Sequence, residues 1–469
     1  MKRRYIWPKG HWAWPIEVTH KHGLRCGQMI WIGGQVDLTP DGEVRNAGDL
    51  AAQIPSVIRH LSRVLAELGS EPSDLVKLLC FYVNDGSIDE AGFLERVAAE
   101  LPDAARPAVT AVPVPCLAYP GMSVEIEAYA MRGEDDRPLA RTYAPAAGLS
   151  PLPARFAQAV RCGKMIFVSG QSPVDERGEL YRPGDIVAQT AEVMAQVGAA
   201  LAPFGAGFDD IVKVNRWYVG HGTVADFEPA ALACAAHFRE PGPAATGVPL
   251  PRHARAGQQI KIEAVAMLGE DGRHLPRRHS WPAGLWDWHV HLPYKHGLKC
   301  EEMIFLGGQV ALDQKGHAVR PGELTAQTRA AMTHIGTILR DRARGIDPRG
   351  LEQGTERISI SVENTFERDL VERELLHHEL RGMAREVAEH LQKRGQVART
   401  VTTKLRYADF SIRSRSTSLD VGIDDAEQIA DLACRLLDRG LRDRPGALRL
   451  VGVGVSRLVA FRQLALDAV

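Results

Sequence analysis

No stretch of this sequence comes near the ~20 consecutive apolar residues that a helix needs to cross a bilayer, so no membrane span is expected. Net charge is almost absent: 57 basic residues stand against 58 acidic ones, leaving −1. A chain so balanced is not drawn as a whole to nucleic acid or to a membrane surface, and any cationic site must be local. Cysteine is sparse and unpatterned. Cys26, Cys80, Cys116, Cys162, Cys234, Cys300 and Cys434 are odd in number and include no Cys-x-x-Cys. That excludes a disulfide framework and a thiolate zinc site, and suits a reducing cytoplasm. The basic start, MKRRYIWPKGHWAW, lacks an apolar segment leading to a cleavage site, so no signal peptide is expected. Aromatics make up only 6% of the residues, yet tryptophan recurs in a fixed frame, WPKGHWAW at 7–14 and WPAGLWDW at 281–288.

That frame belongs to an internal repeat. WIGGQVDLTPDGEV at 31–44 is answered by VSGQSPVDERGEL at 168–180 and by LGGQVALDQKGHAV at 306–319. The shared glutamines are Gln35, Gln171 and Gln309, which lie 136 (171 − 35) and 138 (309 − 171) residues apart. Cys26, Cys162 and Cys300 precede them at one common distance, and VEIEAYAM at 124–131 is answered by IKIEAVAM at 260–267. Each copy reads as strands, a helix, more strands, a second helix and a closing strand. In QIPSVIRHLSRVLAELG, residues Ile54, Val57, Ile58, Leu61, Val64, Leu65 and Leu68 form one helical stripe with Gly69 as its stop. The unit is therefore mixed α/β (α+β), with helices covering one face of a sheet.

The third copy keeps step through TAQTRAAMTHIGTILRD at 325–341 and then stops; near residue 399, where EIEAYAM is due, the chain reads RTVTTKL. The expected divisions are 1–135, 136–272, a truncated unit at 273–342, and a different domain over 343–469. A half-unit leaves a strand edge and a sheet face that a neighbour must cover. His289, His291 and His296 fall close together, with His289 and His291 on one strand face, but no third ligand follows at a recognisable spacing, so no metal site is expected. No cofactor is expected either.

The glycine-glutamine strand turn, the helix after it and the EIEA strand resemble the Rid/YjgF family of small imine/enamine deaminases, over residues 15–341. The resemblance implies chorismate-mutase-like units arranged as an intramolecular pseudo-trimer or a homo-oligomer, with pockets between units for a small metabolite. It places Gly33, Gly34 and Glu125 of copy one and Ser169 and Gly170 of copy two at candidate pockets. Those small residues read equally well as tight backbone packing. The family's arginine, which grips the substrate carboxylate, is replaced by Val109 in RPAVTAVPV and by Ala245 in GPAATGVPL. Ala231 stands where an asparagine is expected, Lys261 where copy one has Glu125, and Phe156 where the family has tyrosine. Loss of the bidentate clamp implies units without efficient deaminase (hydrolase) activity.

From Gly345 the texture changes. Ile358, Ile360 and Val362 alternate with Ser359 and Ser361; Leu376, Leu380, Met383, Val387 and Leu391 form a helical stripe; Asp424 with Glu427 reads as a capped helix start. In VARTVTTKLRYADFSIRSRSTSL, Thr400, Thr402, Lys404 and Arg406 take one side of a strand, and Arg413 and Arg415 alternate again after the bend. Between Lys393 and Arg415 seven basic residues, Arg399 among them, face one acid, Asp409. Cations interleaved with hydroxyls suit phosphate oxygens, and no aromatic platform offers itself to unstacked bases, so duplex backbone is the expected partner. A solvated charged sheet face is the alternative. The segments ENTFERDL, TVTTKLRYADFSIRSRS and LRLVGVGVSRLV resemble the little finger domain of Y-family DNA polymerases. The resemblance implies backbone contacts at Ser359, Ser361, Arg399, Thr402, Lys404, Arg406, Arg413 and Arg415, with Lys404, Arg406, Arg413 and Arg415 on one cationic ridge. It also implies a sliding-clamp peptide at Gln463, Leu464 and Leu466, weakened by Asp467 where a phenylalanine belongs.

No room remains for a polymerase palm. The sequence thus points to a Rid-like ligand-binding or assembly platform carrying a DNA-backbone module in a repair context. The alternatives are a Rid-type deaminase of small metabolites, and an artificial or mis-joined chimera.

Overall fold

A computed structural model describes residues 3–146, 148–288, 290–343, 359–408 and 411–460. The chain divides into two compact units, Met1–Asp347 and Pro348–Val469.

The first copy of the repeat runs β1 (Arg3–Ile6), β2 (Gly23–Cys26), β3 (Met29–Gln35), α1 (Leu50–Glu67), β4 (Leu75–Val83), α2 (Glu90–Ala99), β5 (Ala108–Val114) and β6 (Val124–Met131). Its sheet has the order β1-β2-β3-β6-β4-β5, and β4 and β5, joined through α2, are its parallel pair. Helix α1 starts where Asp49 accepts the Ala52 N–H at 3.0 Å, relieving one of the unpaired donors of the first turn. Its stripe Ile54, Val57, Ile58, Leu61, Val64 and Leu65 is buried against the sheet, in a core that Leu78, Tyr82 and Phe93 complete.

The second copy repeats this as β7 (Arg141–Tyr143), β8 (Ala159–Cys162), β9 (Met165–Val168), α3 (Ile186–Leu201), β10 (Ile211–Val219), α4 (Val224–Ala235), β11 (Ala244–Leu250) and β12 (Ile260–Met267), in the order β7-β8-β9-β12-β10-β11. Then come β13 (Arg277–Ser280), β14 (Gly297–Cys300), β15 (Met303–Leu306) and α5 (Leu324–Ala343), with only a three-stranded sheet. The repeat extends to backbone strain. Asn46, Arg182 and Arg320 hold φ of 49°, 37° and 44° at equivalent places before the first helix of each copy, a region that side-chain-bearing residues seldom occupy. In each copy a glutamine in that helix ties the loop down: Gln53 donates to the Asn46 carbonyl, Gln189 to Arg182 and Gln327 to Arg320.

Copies dock head to tail through one bond pattern. Gly170 N–H donates to the Val109 carbonyl at 3.0 Å and Ala157 N–H to Pro107; in the next junction Gly308 donates to Ala245 at 2.8 Å and Lys295 to Pro243. Val76, Phe167, Met165, Val212, Leu298 and Cys300, drawn from all three, share one apolar cluster. That side of the half-unit is covered by copy two. Among its described residues Ile338 of α5 is buried, while Leu324, Met332 and Leu339 are exposed; β15 answers β3 and β9, but among the described residues no strand answers β6 and β12, the other strands against which α1 and α3 pack.

The second compact unit runs β16 (Ser359–Leu370), α6 (Arg373–Gln392), β17 (Gln396–Tyr407), β18 (Ile412–Ile423), α7 (Ala426–Asp443) and β19 (Leu448–Ala460), an antiparallel sheet in the order β16-β19-β17-β18. Leu376, Leu380, Val387 and Leu391 of α6 and Ile429 and Leu437 of α7 pack on Val401, Leu405, Val451, Val453 and Val455. The cap of α7 is Asp425, which accepts the Gln428 N–H at 2.9 Å, rather than Asp424. Ile358 lies outside the described residues. Among the described residues no helix is long and apolar enough to cross a membrane.

Candidate functional site

At the first junction the backbone of copy two packs directly on copy one. Ser169 Oγ accepts the Val109 N–H at 2.8 Å and donates to the Ala157 carbonyl at 2.6 Å. A Cβ on Gly170 would stand 2.8 Å from the Thr110 methyl and 3.1 Å from the Lys261 chain. Both small residues therefore serve the close approach of two copies. The clamp slot is filled by hydrocarbon: Val109 and Phe156 lie in the same buried cluster, Phe156 reaching from copy two into the core of copy one.

Behind them lies a network of buried charge. Lys77 Nζ meets Glu263 Oε2 at 2.6 Å, with side chains only 4% and 8% exposed, and donates to Thr110 Oγ1 at 2.7 Å and the Val168 carbonyl at 2.8 Å. Thr110 donates to the same carboxylate, and Asn215 to its other oxygen at 2.9 Å. Lys261 Nζ crosses to copy one, reaching Glu90 at 2.5 Å and the Ala111 carbonyl at 2.7 Å. Burial lowers the pKa of Lys77, against the pull of Glu263, and takes that of Lys213 down to about 8. Of these groups the sequence singled out only Lys261, at the place of Glu125 in copy one. The signal was available: Lys77 and Lys213, and Thr110 and Thr246, sit one repeat apart, and Lys213 donates to Thr246 and the Leu306 carbonyl as Lys77 does to Thr110 and Val168.

In copy one Gly33 is exposed and Gly34 half-buried. The Glu125 carboxyl lies where a Cβ on Gly34 would be, so Gly34 makes room for it. Burial raises the Glu125 pKa; that of Glu127 beside it is pushed up to about 7 by burial and by the charges of Glu125 and Glu263. A cleft of about 520 Å³ lies along the junction of copies one and two, with Glu90, Ser150, Gly170, Ser172 and Gln258 on its walls. Of the three histidines, His289 lies outside the described residues, His291 pairs with Glu240 at 3.0 Å and His296 bonds the Trp286 carbonyl at 2.9 Å.

In the second unit the sheet face away from the helices is a field of hydroxyls and glycines. Strand pairing sets out its rows: Ser359, Ser456, Thr400 and Ser418; then Ser361, Gly454, Thr402 and Ser416; then Glu363, Gly452, Lys404 and Ser414. Thr402 and Ser416 hydroxyls bond at 2.9 Å. Arg406 follows in the next row, and Arg399 is exposed beside a register shift of β17. Gly454 leaves the middle strand without a side chain between Ser361 and Thr402, while the Glu363 side chain lies over Gly452. Lys404 is held by both oxygens of Glu363, at 3.0 and 2.9 Å.

Arg413 and Arg415 do not join this ridge. They pair with Leu405 and Thr403, residues that face the helices, and paired residues share a face. Arg415 bonds Asp443 at the end of α7, at 2.7 Å. A direct alternation along one strand does not carry its sides across a bend to the next. Gln463, Leu464 and Leu466 lie outside the described residues.

Comparison with known proteins matches an endoribonuclease L-PSP family model at residues 15–132 and 149–268, just over half of the chain, and an impB/mucB/samB family C-terminal domain at 357–467. DNA polymerase IV of Dehalococcoides mccartyi is 36% identical over 126 residues, covering 26% of this chain and 32% of that protein. That of Corynebacterium diphtheriae is 37% identical over 131 residues, 28% of this chain and 29% of that protein. The chain thus spans about a third of the length of these polymerases. A putative endoribonuclease of Thermotoga maritima superposes with 30% identity and a TM-score of 0.25, covering 27% of this chain and 96% of that one.

Proposed function

Because the chain belongs to the endoribonuclease L-PSP (Rid/YjgF) family and ends in a Y-family polymerase little finger domain, we propose that it is a Rid-like platform that presents a non-catalytic module for duplex DNA backbone. Residues 273–342 are read as a truncated third unit, the domain change as falling near 343, and the platform as an intramolecular pseudo-trimer. The observation that carries the DNA reading is the sheet face of hydroxyls and glycines with Lys404 and Arg406 along it. Hydroxyls and cations at strand spacing meet phosphate oxygens without reading bases, so binding is independent of sequence and steeply weakened by salt.

The platform lacks the means for efficient deamination at its first junction, since Val109 and Phe156 fill the place of the carboxylate clamp. A tail contact with a sliding clamp through Gln463, Leu464 and Leu466 is a further part of this reading.

The test is fluorescence anisotropy of the full chain with a labelled duplex across a salt series. With Lys404 and Arg406 each neutralising one phosphate, log affinity should fall with log salt at a slope of about −1.8. The Lys404→Glu and Arg406→Glu variants should each weaken binding alike on unrelated sequences. No binding at low salt, or a slope near zero, overturns it. Ammonia release from freshly generated 2-aminoacrylate separates the enzyme reading: turnover there would show a clamp elsewhere in the chain.

A further inference from the structure

In the complete copies the outer edge of β3 takes β6, and that of β9 takes β12, both antiparallel. Ile260, Ile262, Ala264 and Ala266 of β12 enter the core that α3 covers, while Glu263 stands on the opposite face and meets Lys77 of copy one. Among the described residues β15 pairs with β14 alone.

Three features of the place left open agree with one another. Met332 and Leu339 of α5 are 60% and 40% exposed, whereas Met194 and Leu201, one repeat earlier, are fully buried in the core that β12 completes. The edge itself carries no charge. Edge strands β1, β7 and β13 hold Arg3, Arg4, Arg141, Arg277 and Arg278, and charge of this kind keeps further strands from adding. The charge-free edges β5 and β11 are each covered by the following copy. β15 reads Met-Ile-Phe-Leu, and its residues are half-buried where Met165–Val168 are buried. Lys213 is the third feature. It donates to Thr246 and to the Leu306 carbonyl, as Lys77 does to Thr110 and Val168. Where Lys77 meets Glu263 at 2.6 Å, Lys213 has no carboxylate within 4 Å among the described residues. The counterpart of that glutamate belongs to the strand that the half-unit lacks, and an ammonium has three donors to place.

We propose that the half-unit is a strand-docking site for a partner polypeptide. The outer edge of β15 takes an extended segment, antiparallel, whose alternate apolar side chains lie under the Met332–Leu339 stripe and whose other face brings a carboxylate to Lys213. Main-chain bonds to the open edge supply affinity, and the stripe and the lysine select the sequence. A second copy of this chain has neither β6 nor β12 to lend, since both are interior strands of their own sheets. The site rests on reading residues 273–342 as a truncated unit and is independent of the DNA module.

The test uses the full chain and a fluorescent peptide of residues 259–268, QIKIEAVAML, followed by anisotropy. The peptide should bind saturably, and glutamine in place of its glutamate should weaken it about tenfold or more. Lys213→Gln should weaken the glutamate peptide to the same degree and leave the glutamine peptide unchanged. Met332→Glu, at an exposed position that tolerates a charge, should lose more than about tenfold while duplex DNA binding stays as in wild type. No saturable binding, or equal binding of a scrambled peptide, overturns the docking site. Binding that appears only after residues 461–469 are removed overturns the partner, because LALDAV at 464–469 repeats the IKIEAV pattern and would then be the occupant. Slow amide exchange over Gly297–Cys300 in the free chain shows the half-unit folded, so that a failure to bind counts against the docking site alone; fast exchange there overturns both.

Discussion

The Glu263→Gln substitution keeps the shape of a side chain at the heart of the first junction and removes its charge. Lys77 then retains the Thr110 hydroxyl and the Val168 carbonyl but no anion, in a place where its side chain is 4% exposed. Removing one member of a buried pair costs about 3–5 kcal/mol, mostly as the penalty on the charge left behind. At about 2 °C for each kcal/mol in a unit of this size, the Rid-like portion should melt about 5–10 °C lower. The deficit has a pH signature. Burial already holds the Lys77 pKa below its ordinary value, and losing Glu263 lowers it further. A lysine with a depressed folded pKa destabilises while it is charged, below that pKa, and the penalty fades as pH rises toward the unfolded value of 10.5. The Glu263→Gln melt should therefore approach wild type in strongly alkaline buffer. The Lys77→Met/Glu263→Gln double variant, which leaves no orphan charge, should recover most of the loss. Scanning calorimetry of the four proteins closes the cycle. A single-variant loss below about 1 kcal/mol, or strict additivity, would show that water reaches the pair and that the junction does not depend on it.

Other predictions follow from the same geometry. Glu127 has a folded pKa raised to about 7 from 4.5, so wild-type stability should decline as pH rises through that window; Glu127→Gln should remove the decline, leaving the two proteins alike near pH 4 and the variant more stable above 7 in melts across pH. Glu363→Gln frees Lys404 from its bidentate partner and removes a carboxylate from the face that meets phosphate, so it should tighten duplex binding while leaving the salt slope, which already counts Lys404, near the wild-type value. Arg415→Ala lies on the helix side, bound to Asp443, and should leave the salt slope unchanged while costing at most about 1 kcal/mol in urea melts. Val109→Arg should not create ammonia release, because the slot is packed with Phe156; it should instead destabilise the first copy by several kcal/mol, read as loss of its cooperative melt.

What the sequence alone determined is everything carried by spacing along the chain. The 136- and 138-residue recurrence marked the copies, and the strained Asn46, Arg182 and Arg320 sit in step with it. The stripes of α1 and α6 were legible because burial on one helical face repeats every three to four residues. The sides of β17 were legible because strand residues alternate, and Val401, Thr403, Leu405 and Tyr407 are indeed buried while Lys404 and Arg406 are not.

Tertiary structure decided what spacing cannot encode. Alternation tells which residues of one strand agree with each other, not which face of the sheet the next strand presents; pairing of Thr403 with Arg415 settled that. Ser169 and Gly170 suit a ligand and close packing equally in the sequence; in the structure Ser169 is engaged by the Val109 N–H, and Gly170 packs on Thr110 and also lines the cleft between the copies. Lys77 meets Glu263 and Arg216 meets Tyr294 only because copies dock head to tail. Whether a buried charge is paired or left waiting depends on neighbours brought from far along the chain, and desolvation makes that difference large.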